Sequence, residues 1–315
     1  MRVLVTGANG FVGRHLVRQL LANSLPDGRT ITRLVLMDMD FREPIDDPRI
    51  QLIRGSLVEA GRLDEAFALG PLDIVFHLAS VPGGLAEARF ELGLDVNLQA
   101  TVALLELLRR QEHVARLVFA STIAVYGAPM PAEVDDDTPL RPGLSYAAHK
   151  RVGEILIEDY SRRGWIEGVS LRLPGIVARP PEPSGLLSAF MSDVFWQLKA
   201  GKPFICPVSP EAVAWWMSVG CCVDNLLHAA TLPADRLSTR RSLALPVLHL
   251  TMAEVIEALA RRFGDDRHSL VSYRPDAKLE AAFGAFPPLR ADAAETLRFA
   301  HDGDVDRLIE RAIHP

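Results

Sequence analysis

The chain has 315 residues, of which 49% are hydrophobic and 23% charged, enough to bury one large core or two of ordinary size. That composition excludes disorder, collagen and coiled coil as whole-chain readings, and no apolar run approaches the roughly 20 residues that a membrane helix needs. A net charge of −6 argues against nucleic acid as the main partner. Met1 to Val5 runs straight into a glycine-rich turn, so no signal peptide is expected. Val3 to Val5 is a short β-branched run that predicts a buried strand, and Val12, Leu16, Val17, Leu20 and Leu21 then recur at helical spacing up to Pro26-Asp27-Gly28. Further strands are expected at Leu34 to Met37, Ile50 to Arg54, Leu72 to Leu78, Arg116 to Ala120 and Gly168 to Leu173. Helices are expected at Leu63 to Ala68, Asn97 to Arg110 and Ser145 to Arg163, the last with Ser145 as N-cap. Short apolar strands alternating with helices indicate α/β architecture, a doubly wound parallel sheet of the Rossmann type.

Composition shifts near residue 174, where Pro174, Pro180, Pro181 and Pro183 fall close together. A helical stretch follows at Leu186 to Leu198, then a strand at Val247 to Leu250, a helix capped by Thr251 through Arg262, and a final helix at Val305 to Ile313. The expected organisation is a nucleotide-binding domain over 1–174 and a smaller mixed α/β substrate lobe over 175–315, with a segment around 218–232 returning to the first domain. Cys206, Cys221 and Cys222 form neither a disulfide framework nor a metal-ligand spacing, so a cytoplasmic, metal-free protein is expected.

Thr6-Gly7-Ala8-Asn9-Gly10-Phe11-Val12-Gly13 reads T-G-x-x-G-x-x-G between a predicted strand and a predicted helix. The first glycine permits a tight turn, the second lets backbone approach a pyrophosphate, and the third lets helix and strand pack closely. Backbone N–H groups at the helix start then bind the phosphates. Asp38 closes the second strand, where a carboxylate accepts from the adenosine ribose hydroxyls; that favours NAD over NADP, although Arg42 is close by.

Tyr146 and Lys150 are four residues apart and share one face of their helix. With 4 tyrosines and 4 lysines in the chain, such a pair is expected by chance well under once. A phenol with a reference pKa of about 10 is a poor base at neutral pH, and a nearby ammonium favours its phenolate. Ser121 and Thr122 follow the fifth strand, at the carboxyl end where open α/β sheets bind ligands. Thr122 can hold a reacting oxygen near Tyr146.

These residues resemble the extended short-chain dehydrogenase/reductase family, that of the NAD-dependent epimerases and dehydratases, over almost the whole chain. The resemblance implies that Tyr146 is the general acid/base, that Lys150 binds the nicotinamide ribose and lowers the tyrosine pKa, and that Thr122, four residues before Tyr126, positions the substrate. It places Gly7, Asn9, Gly10, Phe11, Val12, Gly13, Asp38, Leu57, Leu78, Ala79, Ser80, Asn97 and Ile176 around the cofactor. Ser56, also there, stands where the family usually has an aspartate at the adenine. Gly175 stands where most members have an asparagine that helps hold a nucleotide diphosphate, which counts against a nucleotide-sugar substrate.

The stretches Leu173 to Pro180, Tyr160 to Gly164, Cys206-Pro207-Val208 and Trp216-Met217-Ser218 resemble instead an NAD-dependent branch that acts on C2 of a small aldonic acid. That branch implies a sugar-acid substrate contacted by Ser80, Ser121, Thr122, Tyr146 and Arg179, the last as carboxylate partner. The run Pro180 to Ser184 departs from it by lacking the Gly and Asn usually there. A nucleotide-sugar epimerase or dehydratase and a non-catalytic NAD(H) sensor remain as alternatives. The resemblance also implies a homodimer pairing the helices near Asn97–Arg110 and Ser145–Arg163. His77, His149, the three cysteines and Trp215-Trp216 read as packing residues, and Asp135-Asp136-Asp137 as a solvated loop.

Overall fold

A computed structural model of the protein describes residues 1–41, 46–181, 186–237 and 240–314. Arg42 and the Glu182-Pro183-Ser184 part of the proline-rich stretch lie outside the described residues. Twelve strands occur in the described chain: β1 (Arg2–Thr6), β2 (Arg33–Asp38), β3 (Ile50–Arg54), β4 (Ile74–His77), β5 (Ala115–Thr122), β6 (Ile166–Leu173), β7 (Gly175–Val177), β8 (Phe204–Cys206), β9 (Val213–Ser218), β10 (Ser242–Ala244), β11 (Leu248–Thr251) and β12 (Val271–Tyr273). The chain divides into two compact units. The first comprises Met1–Val125, Pro142–Arg172 and Val223–Leu243, and the second Tyr126–Arg141, Leu173–Cys222 and Ala244–Pro315. The chain therefore crosses from one unit to the other five times, after Val125, Arg141, Arg172, Cys222 and Leu243.

In the first unit seven strands lie in the order β3-β2-β1-β4-β5-β6-β10. β1 pairs in parallel with both β2 and β4, β2 with β3, and β4 with β5. The expected doubly wound sheet is thus the one observed, and its order reverses between β1 and β4. Beyond the carboxyl ends of those two strands lies the crevice where such sheets bind ligands. Leu4, Val35, Ile53 and Val75 from the strands pack with Leu63, Leu104, Leu105 and Ile157 from the helices in one buried cluster. The β-branched and leucine runs that predict the strands are these core positions.

Several boundaries differ from expectation for local reasons. The first helix, Phe11–Ala22, stops before Pro26 because Asn23 turns extended, its N–H bonding to the Gln19 carbonyl. Two short helices, Gly83–Ala88 and Phe90–Leu94, were not expected, since a Gly83-Gly84 start carries little helix propensity. The helix expected from Asn97 is a π-turn over Asp95–Gln99 followed by an α-helix over Ala100–Arg110. The long helix Ser145–Arg162 is capped by Leu144 rather than Ser145. The Ser145 N–H donates instead to Glu87 Oε1 at 2.5 Å, so its acceptor comes from 58 residues earlier in the chain.

The second unit holds a three-stranded sheet, β11-β9-β7, and the pair β12-β8. Helices Phe190–Lys199, Met252–Phe263 and Val305–Ile313 surround a core of Val194, Phe195, Trp216, Val255, Leu259 and Leu308. Trp215 and Trp216 are buried, and their indole N–H groups donate to the Pro287 and Leu250 carbonyls. The expected solvated loop at Asp135-Asp136-Asp137 is anchored. Asp136 accepts from the Ala293 N–H at 2.7 Å, and Arg290 lies 3.6 Å from Asp135. A bridge between Val134 and Leu289 brings these segments together, which no local pattern announces. All three cysteines are buried. Among the described residues no helix is long and apolar enough to cross a membrane, and no group of three or more His, Cys, Asp or Glu is placed to hold a metal ion.

Removing the distant cap should loosen the start of the Ser145–Arg162 helix. Glu87→Ala is expected to lower the unfolding free energy by about 1 kcal/mol, measured by urea denaturation, because one orphan helix N–H loses its acceptor.

Candidate active site

The glycine loop joins β1 to the helix Phe11–Ala22 at the point where the sheet order reverses. Gly7 has φ +72°, and a Cβ there would lie 2.7 Å from the Ala79 backbone nitrogen. A Cβ on Gly13 would lie 2.1 Å from the Gly7 carbonyl oxygen, so the helix reaches the turn only because residue 13 has no side chain. Gly10 is exposed and meets only the Gly7 oxygen, at 3.2 Å, which leaves open space over the helix start. Phe11 is buried, with Val12 half-buried beside it.

Asp38, at the end of β2, accepts from the Asn9 N–H at 2.8 Å and from the Met39 N–H at 2.7 Å. Burial pushes its carboxyl upward, opposed by the amides of Asn9, Met39 and Gly10 and by the Arg14 charge. Arg14 in turn donates to the Asn9 carbonyl at 2.9 Å. A carboxylate fixed by two amides keeps further lone pairs for a ribose diol. Ser56 follows β3, with its N–H donating to Glu59 Oε1 at 3.0 Å, and Leu57 enters the core. Leu78, Ala79 and Ser80 follow β4, half-buried. An open anion-binding helix start flanked by glycines, with a ribose-type carboxylate at the next strand, fits a dinucleotide.

Thr122 ends β5 and is buried, its hydroxyl oxygen accepting from the Ala124 N–H at 3.1 Å. The hydroxyl hydrogen remains to donate. Lys150, 1% exposed, donates to the Ala120 carbonyl at 2.8 Å and stands 4.6 Å from the Phe119 ring centre and 5.9 Å from that of Tyr146. Burial pulls the Lys150 pKa down to about 7, while the charge of Glu154 pulls it up. Gly153 makes room for this arrangement, since a Cβ there would come within 3.0 Å of the Phe119 ring. His77 lies in the same layer, stacked on Phe119. Its Nδ1 pairs with the Thr6 hydroxyl at 2.7 Å and its Nε2 with the Thr101 hydroxyl at 2.9 Å. Full burial and the Lys150 charge bring the His77 pKa down to about 3, so the ring is neutral.

Thr122, Tyr146, Lys150, the glycine loop and Asp38 all belong to the first unit. Asn97 is buried, with both ends of its amide engaged. Its Oδ1 accepts from the Val81 N–H at 2.7 Å and its Nδ2 donates to the Val81 carbonyl at 3.1 Å, so it clamps the loop after β4. Ser121 donates its hydroxyl to Glu154 at 2.6 Å. Ile176 and Arg179 belong to the second unit, where the Arg179 carbonyl accepts from the Trp196 indole at 2.7 Å. Glu154 and His77 are the polar neighbours that sequence reasoning missed or set aside. The available signal for Glu154 was its position, one further four-residue step past Lys150.

A strand–glycine loop–helix with an acidic residue on the next strand, beside a Tyr-Lys pair, defines a dinucleotide-dependent enzyme class. Residues 3–237 match the model of the NAD dependent epimerase/dehydratase family. Over 314 residues the chain is 40% identical to D-erythronate dehydrogenase of Cupriavidus necator, covering 98% of this chain and 97% of that one. It is 31% identical over 316 residues to D-erythronate dehydrogenase of Haemophilus influenzae, covering 99% of each. Among solved structures it is similar to the nucleoside-diphosphate-sugar epimerase from Agrobacterium tumefaciens, with a TM-score of 0.91 and 30% identity, covering 98% of this chain and 92% of that one. The chain belongs to the NAD-dependent epimerase/dehydratase family and is an NAD-dependent oxidoreductase.

The close approach at residue 13 is directly testable. Gly13→Ala is expected to destabilise the protein by at least about 1–3 kcal/mol, read from the urea midpoint, and to weaken NADH binding measured by fluorescence titration.

Proposed function

We propose that the protein oxidises the C2 hydroxyl of a small aldonic acid of the D-erythronate type to the 2-keto acid. The observation that carries the chemistry is the buried Lys150 on the Ala120 carbonyl, one helical turn from Tyr146. Two of its three N–H donors remain for a ribose, and its charge favours the Tyr146 phenolate. Tyr146 takes the hydroxyl proton while Thr122 donates to the same oxygen and holds it in place. The C2–H electron pair leaves as hydride as the C–O bond becomes a carbonyl. The nicotinamide of NAD supplies the hydride acceptor. On this reading Arg179 is the partner of the substrate carboxylate.

Gly175 supports a substrate other than a nucleotide sugar. A Cβ there would meet both Met191 Cε and the Trp215 carbonyl oxygen at 2.9 Å, so the asparagine usual in nucleotide-sugar enzymes of the family has no room. The two full-length relatives named D-erythronate dehydrogenase support the same reading. A second reading, a nucleotide-sugar epimerase, draws its support from the Agrobacterium neighbour, which is named as one and shares the fold over nearly the full chain.

The proposed state is a cytoplasmic homodimer. Val102 on the helix Ala100–Arg110, and Val152 and Ile155 on the helix Ser145–Arg162, are 36%, 39% and 48% exposed on two helices that pack side by side. Large apolar groups exposed on neighbouring helices mark an association face. Sedimentation at micromolar concentration should show a dimer; a monomer there would remove this part of the proposal.

The substrate test is a screen of four- to six-carbon aldonates with NAD, recording absorbance of reduced nicotinamide. NADH formed with an aldonate is expected, whereas silence there and turnover of a UDP-sugar would establish the epimerase instead. In the same assay Tyr146→Phe should bind cofactor normally yet lose roughly two to four orders of magnitude in rate. Arg179→Met should raise the KM for the acid and leave that for NAD in place.

A further inference from the structure

The helix Ser145–Arg162 carries a third polar side chain in register with Tyr146 and Lys150. Glu154 lies on the same face, two further turns along from Tyr146, and none of it is exposed. A carboxylate removed from water needs matching charge and hydrogen bonds. Its Oε1 accepts from the Ser121 hydroxyl at 2.6 Å and from Arg172 Nε at 3.0 Å. Its Oε2 accepts from Arg172 Nη2 and from Arg151 Nη1, both at 3.0 Å. Ser121 stands between Ala120, whose carbonyl seats Lys150, and Thr122. Arg172 is on β6, the neighbour of β5 in the sheet. One buried carboxylate thus ties the Tyr146 helix to the tip of β5 and to β6.

We propose that Glu154 is a positioning residue for the reaction, fixing Thr122 and the Lys150 seat against the helix of Tyr146 and supplying the negative charge that offsets the cations of the site. The proposal rests on the roles assigned above to Thr122, Tyr146 and Lys150. The geometry gives it two separable parts, a bond and a charge. The bond is that from Ser121, which holds the strand tip. The charge acts on everything that titrates nearby. Around the Lys150 ammonium stand Tyr146 and Glu154 on its own helix, neutral His77 from β4 and the Phe119 ring from β5; Arg172 from β6 and Arg151 bind the far side of the Glu154 carboxylate. Replacing Glu154 by a neutral group removes the negative charge that Arg172 and Arg151 bind and makes the site more positive. Neighbouring groups then release their protons at lower pH, so both limbs of a bell-shaped profile move towards acid. An ion pair that only stabilised the fold would leave the profile in place.

The experiment compares Glu154→Gln, Glu154→Asp and Ser121→Ala with the wild type on the sugar acid that the wild type oxidises. It records kcat and kcat/KM against pH and titrates NADH binding separately. Glu154→Gln should shift both limbs by about one pH unit towards acid, and Glu154→Asp, which keeps the charge, should return them to their wild-type positions. Ser121→Ala should keep the profile where it is and lower kcat roughly tenfold or more, with NADH binding retained, because only the strand tip is released. A Glu154→Gln profile that superimposes on the wild type, or wild-type kcat in Ser121→Ala, overturns the proposal. Should Glu154→Gln fail to fold, Ser121→Ala decides. Tyr146→Phe is assayed alongside. Activity retained there defeats the catalytic reading itself, whereas its loss beside an unmoved Glu154→Gln profile defeats only the role of Glu154.

Discussion

The active region depends on keeping one ammonium out of water. Lys150 is almost wholly buried, and burial alone would strip its proton well below the ordinary lysine range. Three features oppose that: the Ala120 carbonyl accepting at 2.8 Å, the face of Phe119 at 4.6 Å, and the carboxylate of Glu154 farther along the helix. The result is a group poised near neutrality, its pKa about 7, rather than a permanently charged surface lysine. A cation so held is electrostatically strong, since little solvent screens it, and it is aimed by a strand and a helix that cannot easily shift.

Elsewhere in the first unit the fold repeats one device, in which polar side chains fasten the segments at the carboxyl ends of the strands. Asn97 holds both polar groups of Val81, and Asp38 holds the amides of Asn9 and Met39. His77 bridges Thr6 and Thr101, and so links β4 to the end of β1 and to the helix behind the sheet. Each clamp sits at or just past the carboxyl end of β1, β2 or β4. The loops that carry the glycines, Asp38 and Ser80 are therefore fixed by the protein's own hydrogen bonds, and preorganisation of that kind lowers the ordering cost of binding.

What could be read from the sequence alone was what repeats locally. The individual strands and helices, the T-G-x-x-G-x-x-G run and the Tyr146–Lys150 spacing all lie within short windows of sequence. The Thr251 cap was legible for the same reason, and the structure completes it as a capping box with Glu254. Interactions that close over long separations were not legible. Glu87 meets Ser145 across 58 residues, Ser121 meets Glu154 across 33, and Asp136 meets Ala293 across 157. The second unit was harder to read because β7, β8 and β12 are only three residues long, too short for any periodicity to show. Gly175 looked like a departure from a motif; only the Met191 and Trp215 contacts reveal it as a packing requirement.

The repeated passage of the chain between its two units has a consequence for inheritance as well as for folding. Neither unit is a contiguous stretch of polypeptide, so no single recombination point in the gene could transplant the first unit onto a different partner. In such an architecture neither unit is exchanged as one contiguous segment. Synthesis on the ribosome imposes the same condition. Strand β10 begins only at Ser242, long after its sheet neighbour β6 has ended at Leu173, and the seven-stranded sheet waits for it.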